Sequence, residues 1–320
     1  MTNYTHMTET GTNTTTGTFG ISGVLCTPKA GDMHNGAVQL LVHGIGFDSS
    51  YWDLPYHPEN YSYVQAAAAA GWTTFRYDRL GTGQSHHPSD GFRLVQASTD
   101  LAILMQFITL LRSGSINSTV FSNIVGVGHS YGSTQLTALS GLNPSAVDTL
   151  ILTGFSDSLA SRALFVAGAL YTRAADVNPA AFSSLPGSYV MTGLPQGNQF
   201  QFFYYPFFDP GAFVQARATE QPAALGVFST LGTISGGSSN FTGPVHLVTG
   251  ERDLAFCGGE CDVVPVGMNR TILQLTNDMV FPKSRNASVY SPPNTGHGVN
   301  LHLSAPETYK EIMGWLESIY

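Results

Sequence analysis

From Ala37 to about Phe155, short β-branched apolar runs alternate with stretches whose apolar positions recur every three or four residues. The runs are AVQLLVHG, WTTFRYDRLG, NIVGVGHS and DTLILTGF; between them lie the Ala-rich YSYVQAAAAAG and the longer LVQASTDLAILMQFITLLRSG, which ends at Gly114. Strands alternating with helices in this way predict a parallel sheet covered by helices. Ahead of them, FGISGVLCTP predicts an antiparallel edge strand, and residues 1–17, Thr-rich and poor in apolar side chains, predict a flexible leader.

After Phe155 the alternation lapses into helical patches broken by Pro and Gly, including the aromatic QFQFFYYPFFDP. Strand character returns at PVHLVTGERD and ASVYSPPN, and ETYKEIMGWLESIY predicts a closing amphipathic helix. A long insertion between strands of a parallel sheet lies over their carboxyl ends, where such sheets bind ligands. The expected organisation is therefore a core domain over 18–155 and 240–320, with a helical cap over 156–239.

Composition narrows the function. Charged residues make up 11%, the net charge is -8, and Lys29, Lys283 and Lys310 are the only lysines, which excludes a nucleic-acid surface. No apolar run approaches the roughly 18 residues a membrane helix needs, so no integral membrane association is expected. Seven of the 15 asparagines head an Asn-x-Ser/Thr sequon, at Asn3, Asn13, Asn60, Asn117, Asn240, Asn269 and Asn286. Chance would supply about three in a chain this rich in Ser and Thr. The excess suggests a secreted glycoprotein whose signal peptide has been removed. In FCGGEC, Cys257 and Cys261 are close enough for a disulfide loop, leaving Cys26 over; a metal site there lacks flanking His or further Cys.

The chemistry centres on GVGHSYGS. Gly128-His129-Ser130-Tyr131-Gly132 fits G-x-S-x-G between an apolar strand and a helical run. A nucleophile on so tight a turn needs small residues two before and two after it, and it sits at a helix N-terminus whose N–H groups can hold an oxyanion. Tyr131 N–H is one expected donor. The other comes from LLVHGIGFD, where Ile45 N–H is the first choice and Gly46 the alternative.

A serine hydroxyl needs a base, and the base a carboxylate. Of ten histidines, His297 in PPNTGHGVNLH follows the last predicted strand, lies between two glycines and precedes the final helix. His43, His129 and His302 read as structural. Asp253, just past a strand in HLVTGERDLAF, is the expected carboxylate, with Glu251, Asp278 and Asp262 as alternatives. The chain order Ser130, Asp253, His297 is the one that accompanies a nucleophile elbow.

HGIGFD, YDRLGTGQS, GHSYGS, GERD and TGHG together resemble the α/β-hydrolase superfamily over residues 37–155 and 244–320. HGIGFDSSYWD, LTGFS and FCGGEC further resemble a group of extracellular fungal members. The resemblance implies an eight-stranded, mostly parallel sheet with a cap after the sixth strand. It also implies a Ser130, Asp253, His297 triad, an oxyanion hole at Ile45 and Tyr131, and a structural turn at Asp78. One departure is the stretch between Asp253 and His297, longer than in the simplest members.

The expected reaction is acyl transfer through Ser130 on an ester, lactone, thioester or amide, with no cofactor and no metal. Seven aromatics in nine positions, Phe200 to Phe208, suit a small apolar or aromatic substrate, with Phe203, Tyr204 and Phe207 as its expected contacts. The competing classes are a non-catalytic ligand-binding protein of the same fold, and a lyase or acyltransferase using the same triad.

Overall fold

The computed structural model describes residue 11 and residues 14–34, 36–158, 160–234, 237, 238 and 240–320. Most of the leader expected over 1–17 lies outside the described residues, as do the sequons at Asn3 and Asn13. Five strands precede the insertion: β1 (Gly23–Cys26), β2 (Ala37–Val42), β3 (Thr73–Tyr77), β4 (Asn123–His129) and β5 (Thr149–Thr153). Within the insertion lie the short strands β6 (Thr172–Arg173), β7 (Tyr189–Met191) and β8 (Ala223–Ala224). After it come β9 (Val245–Val248) and β10 (Ala287–Tyr290).

The main sheet runs β1-β3-β2-β4-β5-β9-β10. All its neighbours are parallel except β1, which pairs antiparallel with β3 as the edge strand anticipated from FGISGVLCTP. The central strands are buried along their length because helices cover both faces, which is why they read as continuous apolar runs rather than alternating ones. Within β2, Val38, Leu40 and Val42 join one core with the helices Ala97–Arg112 and Tyr131–Leu142, while Ala37 and Leu41 join the other with Tyr63–Ala69 and Ala305–Glu317. The closing helix buries Ala305, Tyr309, Ile312, Met313 and Leu316 along one face.

Three expectations are corrected. The sheet has seven strands among the described residues rather than eight, and the insertion follows the fifth strand along the chain rather than the sixth. An additional strand ahead of β1 would need an apolar run, and Thr14–Thr18 offers only Thr and Gly. The insertion is also not purely helical. Besides helices such as Arg162–Ala169, Pro195–Phe202, Pro210–Ala218 and Leu225–Thr230, it contains the antiparallel sheet β6-β7-β8. No helix among the described residues is long and apolar enough to cross a membrane. The sequon residues Asn60, Asn117, Asn240, Asn269 and Asn286 are all exposed.

Candidate active site

β4 runs straight into the helix Tyr131–Leu142, and the residue at the junction is Ser130, with φ 55° and ψ -114°. A serine adopts so unfavourable a conformation only where its surroundings hold it there. Its N–H donates to Thr153 O on β5 at 2.9 Å, and its carbonyl accepts from Thr134 N–H at 3.0 Å. Both flanking glycines are sterically required. A Cβ on Gly128 would stand 2.5 Å from Ser133 N, and one on Gly132 would collide with the carbonyl oxygen of Val42. As the first residue of its helix, Tyr131 has an N–H with no carbonyl one turn back to accept it.

His297 lies in the loop after β10, and its Nε2 is 2.8 Å from Ser130 Oγ. Its Nδ1 is 2.7 Å from Asp253 Oδ2. Asp253 is fully buried at the end of the loop after β9. It caps the short helix Leu254–Cys257, whose Phe256 N–H donates to Oδ1 at 2.9 Å. Cys257 and Cys261 are joined, closing a small ring directly behind that helix. The alternatives for the carboxylate are engaged elsewhere: Glu251 accepts from Asn294 N–H and pairs with Arg252, and Asp278 pairs with Arg270. The long stretch between Asp253 and His297 is occupied by the disulfide ring, the helix Ile272–Val280 and β10.

Ser130 opens onto a cavity of about 120 Å³ whose lining includes Ile45, Tyr131, Phe165, Phe202, Phe228, Phe256 and Arg162. Ile45 and Tyr131 are thus on the cavity wall beside the serine, and Gly44, one residue before Ile45, packs against Ser130 Cβ. The aromatic contacts expected from the run Phe200–Phe208 are corrected. Phe203, Tyr204 and Phe207 do not line this cavity; of the run only Phe202 does. Phe202 closes its helix stacked on His297, with ring centroids 5.9 Å apart. The chain then becomes extended at Phe203, which turns the next ring the other way, against Phe208, Phe213 and His302. Tyr204 and Phe207 stack on each other outside. Phe165, Phe228 and Phe256 come from three separate segments, so no local run marked them; Phe256, three residues past Asp253, was the nearest to a signal.

Residues 39–312 match the model of the alpha/beta hydrolase family. The chain belongs to the alpha/beta hydrolase family. Solved structures to which it is similar include a monoacylglycerol lipase from Paleococcus ferrophilus, at 15% identity and TM-score 0.58, covering 93% of this chain and 98% of that one. An esterase from Thermogutta terrifontis is 16% identical with TM-score 0.59, covering 94% of each chain. A bromoperoxidase from Bacillus anthracis is 15% identical with TM-score 0.60, covering 94% and 96%. At these identities the likeness is one of fold. A search of curated proteins gives no match.

In this alpha/beta hydrolase a buried ion pair ties the two halves of the site together. Arg79 donates to Asp100 Oδ2 at 2.9 Å and to Gly44 O at 3.1 Å, and its guanidinium sits 4.8 Å from the Tyr131 ring centroid. Tyr131 OH donates to the same Asp100 oxygen, and Arg79 N–H donates to His43 Nε2. The turn carrying Ile45 and the helix carrying Tyr131 are thereby fixed to one another. Arg79 follows Asp78 in YDRLG, but Asp100 lies inside an ordinary amphipathic helix with nothing local to distinguish it. Asp78 holds the turn by accepting from Ser49 N–H and Gln84 N–H.

His43, His129 and His302 are buried, the His129 ring 5.0 Å from that of His297, and burial favours the neutral form of each. Burial depresses His43 and His129 well below the ordinary imidazole range, with Arg79 adding to the first and His297 to the second. Burial lowers His302 to about 4. His302 Nε2 accepts from Tyr204 N–H at 2.9 Å and Gly296 N–H at 3.0 Å, while Nδ1 lies 2.9 Å from Gly298 O. A proton on Nε2 would face two donors. Because these folded values lie below the unfolded one, the unfolded chain binds more protons, so stability is full above the unfolded pKa of about 6.5 and is lost as pH falls towards about 4. His302 alone is expected to account for about 3 kcal/mol of that loss. Thermal unfolding midpoints followed from neutral pH downwards should drop across this window; a flat profile contradicts it.

Proposed function

We propose that the chain is a serine hydrolase that cleaves a carboxylic ester, lactone, thioester or amide of a small apolar or aromatic molecule through an acyl-enzyme. The observation that carries this reading is the unbroken hydrogen-bonded line from Ser130 Oγ through His297 to Asp253, ending in an apolar cavity. His297 Nε2 takes the hydroxyl proton as Oγ bonds to the substrate carbonyl carbon, and Asp253 steadies the imidazolium. The N–H groups of Tyr131 and Ile45 hold the tetrahedral oxyanion. Its collapse breaks the bond to the leaving group, which departs with the proton from Nε2 and leaves an acyl ester on Ser130. Water then adds by the same route, giving its proton to His297, and the acid leaves as the serine is restored.

A fluorophosphonate reagent tests this directly. It is expected to add one adduct mass to the protein, mapped to the peptide containing Ser130, and heat-denatured protein should stay unlabelled. Absence of labelling in the native protein would sink the reading.

Secretion belongs to the same proposal. It is supported by the exposed sequons, the disulfide, and the likeness of HGIGFDSSYWD and FCGGEC to extracellular fungal members. Protein from a eukaryotic secretory host should lose mass on enzymatic deglycosylation; an unchanged mass contradicts N-glycosylation.

A further inference from the structure

Arg162, the first residue of the helix Arg162–Ala169, is the one cationic side chain among the described residues lining the cavity at Ser130. The other arginines that are not exposed each have a carboxylate partner: Arg76 with Asp53, Arg79 with Asp100, Arg112 with Asp148, Arg217 with Glu220 and Arg252 with Glu251. Arg162 has no such partner among the described residues. Its guanidinium lies 5.1 Å from the Phe256 ring centroid, and Phe256 in turn stands 5.6 Å from the His297 ring. Phe256 is thus a neighbour of both the cation and the His297 ring. Its Nε is buried without an acceptor. Burial lowers its pKa, an effect that Asp157 offsets only in part and through space.

A guanidinium taken partly out of water with no carboxylate in contact gains from a ligand that brings one. No carboxylate of the described residues lines the cavity, so a counter-charge in contact with Arg162 there would come with the ligand. We propose, resting on the serine-hydrolase reading, that Arg162 selects a carbonyl substrate carrying a carboxylate on its far end. The guanidinium fork matches a carboxylate in geometry and charge, while the phenyl walls take the apolar part between. The cavity volume is of the order that admits one small ring, since an apolar cavity of about 150 Å³ takes benzene. The substrate class is therefore a compact ester with two ends, such as the half-ester of a short diacid or an ester bearing a benzoate.

The test compares matched pairs of esters on the wild-type chain, Arg162→Met and Arg162→Lys. One pair, phenyl butanoate and phenyl hemisuccinate, puts the charge on the acyl side; the other, phenyl butanoate and 4-carboxyphenyl butanoate, puts it on the leaving side. In at least one pair, Arg162→Met is expected to lower the ratio of kcat/KM for the charged ester to that for the neutral ester roughly 10- to 100-fold, the value of a charge-assisted hydrogen bond. Arg162→Lys should retain part of the preference. Equal effects on charged and neutral esters in both pairs overturn the proposal, as does an enzyme labelled at Ser130 that turns over neither charged ester. Absence of fluorophosphonate labelling in the wild-type chain overturns the serine-hydrolase reading as well, so the two failures are distinguishable.

Discussion

Replacing Ser130 by alanine is expected to lower kcat by roughly 10⁵-fold or more while the protein stays folded. The substitution removes one heavy atom, the one that bonds to the substrate carbon in the proposed mechanism. The backbone that holds the elbow does not depend on it, because the N–H still donates to Thr153 O and the carbonyl still accepts from Thr134. Alanine at φ 55° is strained much as serine is, so the change in stability should be under about 1 kcal/mol. Ester turnover together with a thermal unfolding midpoint checks both halves. A variant within tenfold of the parent activity would remove Ser130 from the mechanism.

Asp253→Asn is the second large effect, and the structure dictates its sense. Asp253 Oδ1 accepts from Phe256 N–H, so an asparagine there must keep its carbonyl oxygen on that side. Its amide nitrogen then faces His297 Nδ1, which must become the acceptor, and the ring proton moves to Nε2. An imidazole protonated at Nε2 cannot take the proton of Ser130. The expected loss in kcat is roughly 10³- to 10⁴-fold with KM little changed. Glu251→Gln, by contrast, should stay within a few-fold, since that carboxylate holds Asn294 N–H and Arg252. Pre-steady-state or steady-state kinetics on the two variants decide the matter, and a larger loss for Glu251→Gln would reassign the acid.

What could be seen in the sequence was what is local. The strand, the tight turn and the helix around Ser130 occupy one continuous segment, so the glycine spacing that the backbone demands is written in five adjacent letters. Asp253 and His297 could be picked out because each lies in the loop after a strand, and parallel strands bring their carboxyl ends to one edge. The cavity wall was not legible. Which ring of Phe202 and Phe203 faces the serine depends on where a helix stops, and Phe165, Phe228 and Phe256 meet only after the insertion has folded back. Arg79 and Asp100 find each other across 21 positions. The strand number failed for a different reason: it was borrowed from the resemblance, while Thr14–Thr18 holds no apolar run from which a further strand could form.

His302 gives the cap an unusual attachment. A single ring nitrogen receives one hydrogen bond from the cap, at Tyr204, and one from the loop that carries His297, at Gly296. Phe202 O adds a second tie to that loop by accepting from Gly298 N–H at 2.8 Å. Displacing this corner of the insertion would break both ties to the loop that sets His297 against Ser130, so the place of that ring and the place of the insertion are coupled.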